Sequence, residues 1–283
     1  MNIAVTNVHL DLGAGRRGTD MGPSAMHVAD LLPRLRGLGH TITGIHSLGT
    51  PSFEAEETGN AAARFLPIIH KVCSRLADRV EGQVRAQHIP LVLGGDHSQA
   101  IGTVAGMARV LRARGERLGV LWVDAHTDMN TPEITPSGNI HGMSLAVLNG
   151  YGPPELVGLW GGKGRAVHAE HVCVLGARDI DPAEAELVRE SGIRVFTMTE
   201  IDERGIGPCV DEALERLTDG TAGFHLSFDL DGLDPTVAPG VGTPVDGGLT
   251  YREGHLVCEK VARSEALLSL ELVELNSVLD ERN

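Results

Sequence analysis

The chain has 283 residues, 42% apolar and 22% charged, a composition that allows one sizeable globular core. Its 38 acidic residues outnumber 24 basic ones and no basic stripe occurs, which argues against nucleic acid or an anionic membrane surface as a partner. No signal-peptide pattern opens the chain and no run approaches bilayer-spanning length, so a cytoplasmic location is expected.

Residues 2–7 form the first expected strand, and a loop rich in glycine and charge follows over 11–22. Gly13-Ala14-Gly15-Arg16-Arg17-Gly18 has the spacing G-x-G-x-x-G, but a dinucleotide site needs its helix to open within those glycines. The next helix signals, Pro23 and Ser24 ahead of a helix over 25–35, come too late, and Arg16 and Arg17 read as loop charges. After a strand over 42–48, residues 61–87 read as an amphipathic helix, with Ile68, Ile69, Val72, Leu76 and Val80 at helical spacing. Pro90 and Leu91-Val92-Leu93 form a buried strand that stops at Gly94-Gly95-Asp96-His97-Ser98. The two glycines permit a sharp turn that projects His97 from the strand's carboxyl end. In the helix over 99–114, Gly102 and Gly106 lie four apart, which allows close approach to the sheet.

The strand over 118–123 runs into Asp124-Ala125-His126-Thr127-Asp128-Met129-Asn130. In an extended backbone residues i, i+2 and i+4 face one side, so Asp124, His126 and Asp128 can converge on one point. The irregular segment over 129–142 is long enough to mark a functional loop, whereas 151–165 carries little chemical information. A strand over 171–176 leads toward Asp181, a helix covers 182–190, a strand 194–198 and a helix 207–218. The strand over 224–228 ends in Asp229 and Asp231, and a glycine-rich loop spans 232–248. A helix over 250–264 and a strand over 267–273, ending in Glu274-Leu275-Asn276, complete the order. Cys73, Cys173, Cys209 and Cys258 form no Cys-x-x-Cys pair and read as reduced structural thiols; His171, His225 and His255 are likewise assigned structural roles.

Strands alternating with helices throughout predict an α/β fold, a three-layer α/β/α domain over 1–283 with a mainly parallel central sheet. Ligands of such sheets bind beyond the strands' carboxyl ends. Five strands end in polar groups there: His97, Asp124 to Asp128, Asp181, Asp229 with Asp231, and Glu274. One site needs them all, so one domain is expected. His97, Asp124, His126, Asp128, Asp229 and Asp231 supply two imidazoles and four carboxylates, enough for two metal ions if some carboxylates bridge. Four carboxylates balance two divalent charges, whereas one ion would leave several acids repelling each other. The oxygen-rich set, without sulfur, favours Mn²⁺ over structural zinc. Two ions roughly 3.5–4 Å apart can share a water and present hydroxide at neutral pH, which points to hydrolysis.

Gly94-Gly95-Asp96-His97-Ser98, Asp124-Ala125-His126-Thr127-Asp128 and Ser227-Phe228-Asp229-Leu230-Asp231-Gly232-Leu233-Asp234-Pro235 resemble the three signature motifs of the ureohydrolases. These manganese enzymes cleave guanidino compounds to urea and an amine. The likeness runs in order from near residue 2 to 276 and implies an arginase-like fold. It also implies that Asp124 and Asp229 bridge both ions, that His97 and Asp128 complete one shell, and that His126 and Asp231 complete the other. Within the family, Ser137-Gly138-Asn139-Ile140-His141-Gly142 is similar to the arginase loop that receives the amino-acid head of the substrate. Neutral donors at Asn130, Ser137 and Asn139 suit an α-carboxylate, and Asp181 and Glu184 match the acids that hold an α-ammonium. Asp181 ahead of Pro182, with Glu184 three residues on, also has the form of a plain helix start, and both roles are compatible.

By the same resemblance Glu274, assisted by Thr243, orients the guanidinium. Asp128 passes a proton to the leaving amine, and His141 is the proton shuttle. The implied reaction is hydrolysis of L-arginine to L-ornithine and urea by a hydroxide bridging two Mn²⁺ ions. The implied assembly is a homo-oligomer, a trimer or hexamer. Alternatives are another ureohydrolase, an agmatinase or guanidino-acid hydrolase, and a non-catalytic metal-binding member; a fold-related single-zinc deacetylase would leave several ligands without purpose. The chain departs from the family pattern at Ser144 and Ser277, where proline is usual, and at Asn283, beyond which the family continues into a final helix.

Overall fold

The computed structural model describes residues 1–280; the last three residues of the expected 1–283 domain lie outside it. Among the described residues eight strands make one sheet: β1 (Asn2–His9), β2 (Thr41–Gly49), β3 (Ile89–Leu93), β4 (Gly119–Val123), β5 (Val172–Ala177), β6 (Arg194–Thr197), β7 (Phe224–Asp229) and β8 (Leu267–Val273). Their spatial order is β2-β1-β3-β8-β7-β4-β5-β6, and every pairing is parallel, with Leu91 opposite Leu270, Phe228 opposite Leu272 and Val123 opposite Phe228. The chain lays down β1 to β3 on one side and β4 to β6 on the other. The last two strands, β8 and β7, then fill the centre. The five strands that end in polar clusters, β3, β8, β7, β4 and β5, are therefore consecutive neighbours.

Central strands covered on both faces favour near-continuous apolar runs, hence Gly-Val-Leu-Trp-Val in β4, all buried. Successive residues divide between the faces. Val120 and Trp122 join Val92 and Val174 under α3 (Leu66–Arg85) and α4 (Ala100–Ala113), through Ile69, Leu76, Ile101 and Val104. Leu121 and Val123 face α9 (Ile206–Thr218) and α10 (Tyr251–Ser264), through Val210, Ala213, Val257 and Val261. A smaller cluster packs Ile3, Val5, Leu91 and Leu93 against Met26 of α1 (Gly22–Val28) and Leu32 of α2 (Leu31–Gly37). Three layers result. The remaining α-helices among the described residues are α5 (Ser144–Leu148), in a stretch given no expected element, α6 (Pro154–Val157), inside the segment 151–165 expected to carry little information, α7 (Pro182–Ser191) and α8 (Met198–Arg204).

Several local expectations are corrected. The single helix over 25–35 is two, α1 and α2, separated at Asp30, whose φ is 63°. Pro33 has no N–H and tolerates only the first turn of a helix, so the chain restarts at Leu31 to place it there. For the same reason the helix expected from residue 61 begins at Leu66, ahead of Pro67. Gly102 and Gly106 admit α3, not the sheet: a Cβ there would lie 2.6 Å from Cys73 O and 2.5 Å from Ala77 O. The strand expected over 194–198 stops at Thr197, whose side chain accepts from Glu200 N–H and starts α8. Cys73, Cys173, Cys209 and Cys258 are all free thiols. Among the described residues no helix is long and apolar enough to cross a membrane.

Candidate active site

The site lies beyond the carboxyl ends of the central strands. After β3, Gly95 passes so close to Leu10 that a Cβ would lie 2.2 Å from its carbonyl oxygen, so only glycine allows the turn that brings up His97. β4 stops at Val123, so Asp124, His126 and Asp128 do not converge as an extended strand. They converge through a turn in which His126 N–H donates to Asp124 Oδ1 at 2.7 Å and Asp128 takes φ 49°. Glu274, just past β8, is also left-handed at φ 63°. Two non-glycine residues in this sparsely populated region at one site are backbone strain concentrated where side chains must be aimed.

Two groups of donors form. His97 Nδ1 lies 3.0 Å from Asp124 Oδ2, 3.2 Å from Asp128 Oδ2 and 3.1 Å from Asp229 Oδ2. His126 Nδ1 lies 3.2 Å from Asp124 Oδ1 and 3.2 Å from Asp231 Oδ2. Asp124 thus gives one oxygen to each group, while Asp229 falls in the first, its Oδ1 accepting Asp231 N–H at 2.7 Å. The surroundings fix these angles: Trp122 Nε1–H donates to Asp124 Oδ2 at 2.9 Å, Thr243 Oγ1 to Asp231 Oδ2 at 2.9 Å, and Ala125 N–H to Asp231 Oδ1 at 3.2 Å.

The donor set fits a divalent cation. Ser227 Oγ donates to the buried Glu271 carboxylate at 2.7 Å, so it accepts from His97 Nε2–H, also at 2.7 Å. The other ring nitrogen, Nδ1, then faces three carboxylate oxygens. Burial opposes a charged His97, yet these carboxylates raise it well above its ordinary range, an arrangement that calls for positive charge between ring and carboxylates. Among the described residues neither His97 Nδ1 nor Asp128 Oδ2 has a hydrogen-bond partner, although both are buried. Charge balance agrees. Burial and the neighbouring Asp124 charge push the Asp128 carboxyl up to about 7, and burial with Asp231 and Asp124 raises Asp229 well above its usual range. Burial opposes a charged His126, yet Asp124 and Asp231 raise it to about 12. Carboxylates that crowd each other and draw protons onto nearby rings are a donor set short of positive charge. The site is therefore a candidate divalent metal centre.

Next to it, a cleft of about 110 Å³ is bordered by Asn130, His141, Asp179, Asp181, Glu184 and Thr243. It shares His126, His141, Asp179 and Thr243 with an outer cavity of about 450 Å³, to which Arg16, Asn139 and Glu274 contribute. Glu274 Oε1 accepts His97 N–H at 2.9 Å and lies 3.0 Å from His141 Nδ1, leaving Oε2 buried without a partner. Burial opposes a charged His141 ring, but Glu274 raises it to about 9. Asp181 and Glu184 form a capping box at the start of α7, and Asn130 Nδ2 donates to Asp181 Oδ2 at 3.2 Å.

Glu184 borders the cleft, but its oxygens are engaged by Thr127 Oγ1, Met129 N–H and Asp181 N–H at 2.5, 2.9 and 3.2 Å, so it braces the metal turn against α7. Ser137 is not brought into the cleft: it is exposed, outside the lining of both cavities, and its Oγ accepts Asn139 N–H in a local turn. Ser144, one departure from the family pattern, donates to the His141 carbonyl at 2.9 Å.

Three features escaped the sequence reading. Asp179 lines both cavities, 4.0 Å from His126 Nε2; its position two residues before Asp181 was the available signal. Asp96 accepts Gly13 N–H at 2.8 Å, and Gly13 O accepts His141 N–H at 3.1 Å, so the glycine loop is a lip of this site. Glu271, fully buried and 3.1 Å from His225, a residue expected to be structural, stands behind His97; an acid inside a buried strand marked it.

The arginase family model matches residues 1–283. The arginase of Bacillus caldovelox is 48% identical over 284 residues, which cover 99% of this chain and 93% of that protein. Its native structure superposes with a TM-score of 0.94 at 46% identity, covering 99% of this chain and 92% of that one. The Entamoeba histolytica arginase solved in complex with L-ornithine gives a TM-score of 0.90 at 29% identity, covering 99% and 93%. With an eight-stranded parallel sheet, this site at its carboxyl edge and a likeness that spans the whole sequence, the chain belongs to the arginase family.

Proposed function

We propose that this chain hydrolyses L-arginine to L-ornithine and urea at a centre of two Mn²⁺ ions. The observation that carries this reading is Asp124, one carboxylate shared between the group of His97 and Asp229 and the group of His126 and Asp231. In the proposal His97 and Asp128 would help to hold one ion, His126 and Asp231 the other, and Asp124 and Asp229 would serve both. The oxygen-rich set suits manganese, and its four carboxylates balance two divalent charges. When bound, such a pair supplies hydroxide near neutral pH and stabilises charge that develops at the attacked carbon.

The chain's own residues do the rest. Glu274 orients the guanidinium: its Oε1 is already engaged, so the partnerless Oε2 is the acceptor left for a guanidinium N–H. Thr243 assists by holding Asp231 from the cleft wall. Asp128 hands a proton to the leaving amine, and His141, between cleft and outer cavity, exchanges protons with solvent. Asp181 receives the α-ammonium with Glu184 bracing it, and the amides of Asn130 and Asn139 receive the α-carboxylate. The relative solved with L-ornithine supports a product that keeps an amino-acid head.

Urea release after manganese reconstitution, measured on L-arginine, agmatine and 4-guanidinobutyrate, tests the reading. Arginine is the expected preferred substrate. A preference for agmatine overturns the assignment, and metal uptake with no urea from any of the three makes the chain a binding protein.

A further inference from the structure

The geometry points to Arg64 as the positioning residue that presents Asn139 to the substrate's α-carboxylate, and so favours arginine over decarboxylated guanidines. This rests on the functional reading above. Arg64, in the turn ahead of α3, donates from Nη1 to Asn139 Oδ1 at 3.1 Å. A guanidinium carries donors only, so the amide must give it the oxygen and turn its NH₂ the other way. On that side stands the glycine loop: a Cβ at Gly15 would lie 3.0 Å from Asn139 Nδ2. Gly15, Arg16, Asn139 and His141 all line the outer cavity that opens onto the cleft. Asn139 therefore offers two N–H donors where a carboxylate is expected.

An unpinned asparagine has little reason to choose. Its two amide ends are nearly the same shape, and a half-turn would present an oxygen to the substrate's oxygens. Arg64 removes that choice. The backbone beneath is fixed as well: Arg64 N–H donates to Gly138 O at 2.9 Å, and Gly138 sits at φ 72° so close to Ala61 that a Cβ would come within 1.8 Å of its carbonyl oxygen. The guanidinium rests 5.9 Å from the centre of the Phe65 ring, which limits its own freedom. Agmatine has no α-carboxylate and cannot sense the orientation of this amide.

The test compares kcat and KM for L-arginine and agmatine in manganese-reconstituted wild type, Arg64→Met and Arg64→Lys. Arg64→Met is expected to raise KM for arginine roughly 5- to 20-fold with kcat within about two-fold and agmatine kinetics unmoved. Arg64→Lys, still donor-only, is expected to recover most of the loss. If Arg64→Met does not fold, Arg64→Gln takes its place with the same expected direction. An unchanged arginine KM overturns the inference, and so does an equal rise on both substrates, which marks a merely structural role. Wild-type enzyme inactive on arginine overturns the functional reading and the inference with it. Arginine turnover with unshifted selectivity in the variants removes the inference alone.

Discussion

Beside the edge strand β6, Arg194 and Arg204 meet Glu200 and Glu212, with contacts of 2.9 Å from Arg194 Nε to Glu212 and 2.7 Å from Arg204 Nη2 to Glu212. Two positive charges face two negative ones, each carboxylate has a guanidinium partner, and the Arg194 guanidinium lies 3.8 Å from the centre of the Phe196 ring. At the sheet's centre, four buried aspartates face only two imidazoles, and His97 Nδ1 and Asp128 Oδ2 lack hydrogen-bond partners. The first cluster is complete in the protein itself, so its charges stabilise each other at the surface and do little more. The second is short of positive charge of its own, as a candidate divalent metal site is. Both perturb ionisation, so perturbation alone does not mark function; an uncompensated sign of charge, buried and with aligned donors, does.

The strongest way to break the second cluster is to remove the shared carboxylate. Asp124→Ala is expected to lower kcat/KM for arginine by more than roughly 10³-fold and to reduce both metal sites, because Asp124 belongs to both groups. Metal content per chain by elemental analysis, beside urea release, checks this; two ions retained in the variant would refute the shared-ligand assignment. Chelation of the wild type gives a companion readout. Each ion held at 100 times its Kd adds about 2.7 kcal/mol, so removal of the two proposed ions is expected to lower the thermal midpoint by roughly 10–20 °C, reversibly on adding Mn²⁺.

A more limited break separates substrate recognition from chemistry. Asp181→Ala is expected to raise KM for arginine about 10- to 100-fold with a much smaller change in kcat, since the head group lies away from the scissile bond. It also removes a helix cap, worth about 1 kcal/mol, so a modest loss of thermal stability accompanies the kinetic change. Unchanged arginine kinetics in a variant with that stability loss would leave Asp181 as a capping residue only.

Much of this contrast could be read from the sequence, for physical reasons. A parallel strand covered on both faces reads as a mostly apolar run, so the central strands were visible even where His225, Ser227, Ser269 and Glu271 interrupt them, and the acids and imidazoles that end those runs stood out against them. What could not be read depended on which elements meet. Gly102 and Gly106 announce a close approach, but only the fold shows that α3 is the element that approaches. Glu184 and Ser137 follow the family pattern equally well, yet tertiary packing turns Glu184 inward to brace Met129 and leaves Ser137 outside the cleft. The pinning of Asn139 by Arg64 joins residues 75 positions apart and has no local signal. The break between α1 and α2 was legible in principle, since Pro33 forbids a continuous helix.

The smallest expected effect lies at the surface cluster and sharpens the comparison from the other side. Arg194 is the main cause that holds the Glu200 carboxyl below its usual value of 4.5. A carboxyl whose folded pKa is depressed contributes stability above its unfolded pKa and loses it as pH falls through the folded value. Glu200→Gln should therefore cost about 0.2–1 kcal/mol at pH 7, the range for exposed ion pairs, and the difference from wild type should vanish as pH is taken well below 4.5. Arginine kinetics and metal content should stay as in the wild type. Chemical denaturation at pH 7 and near pH 3 measures the first expectation, and elemental analysis the second. A loss of metal in Glu200→Gln would mean that the two clusters are coupled across the sheet and that charge balance had been drawn too locally.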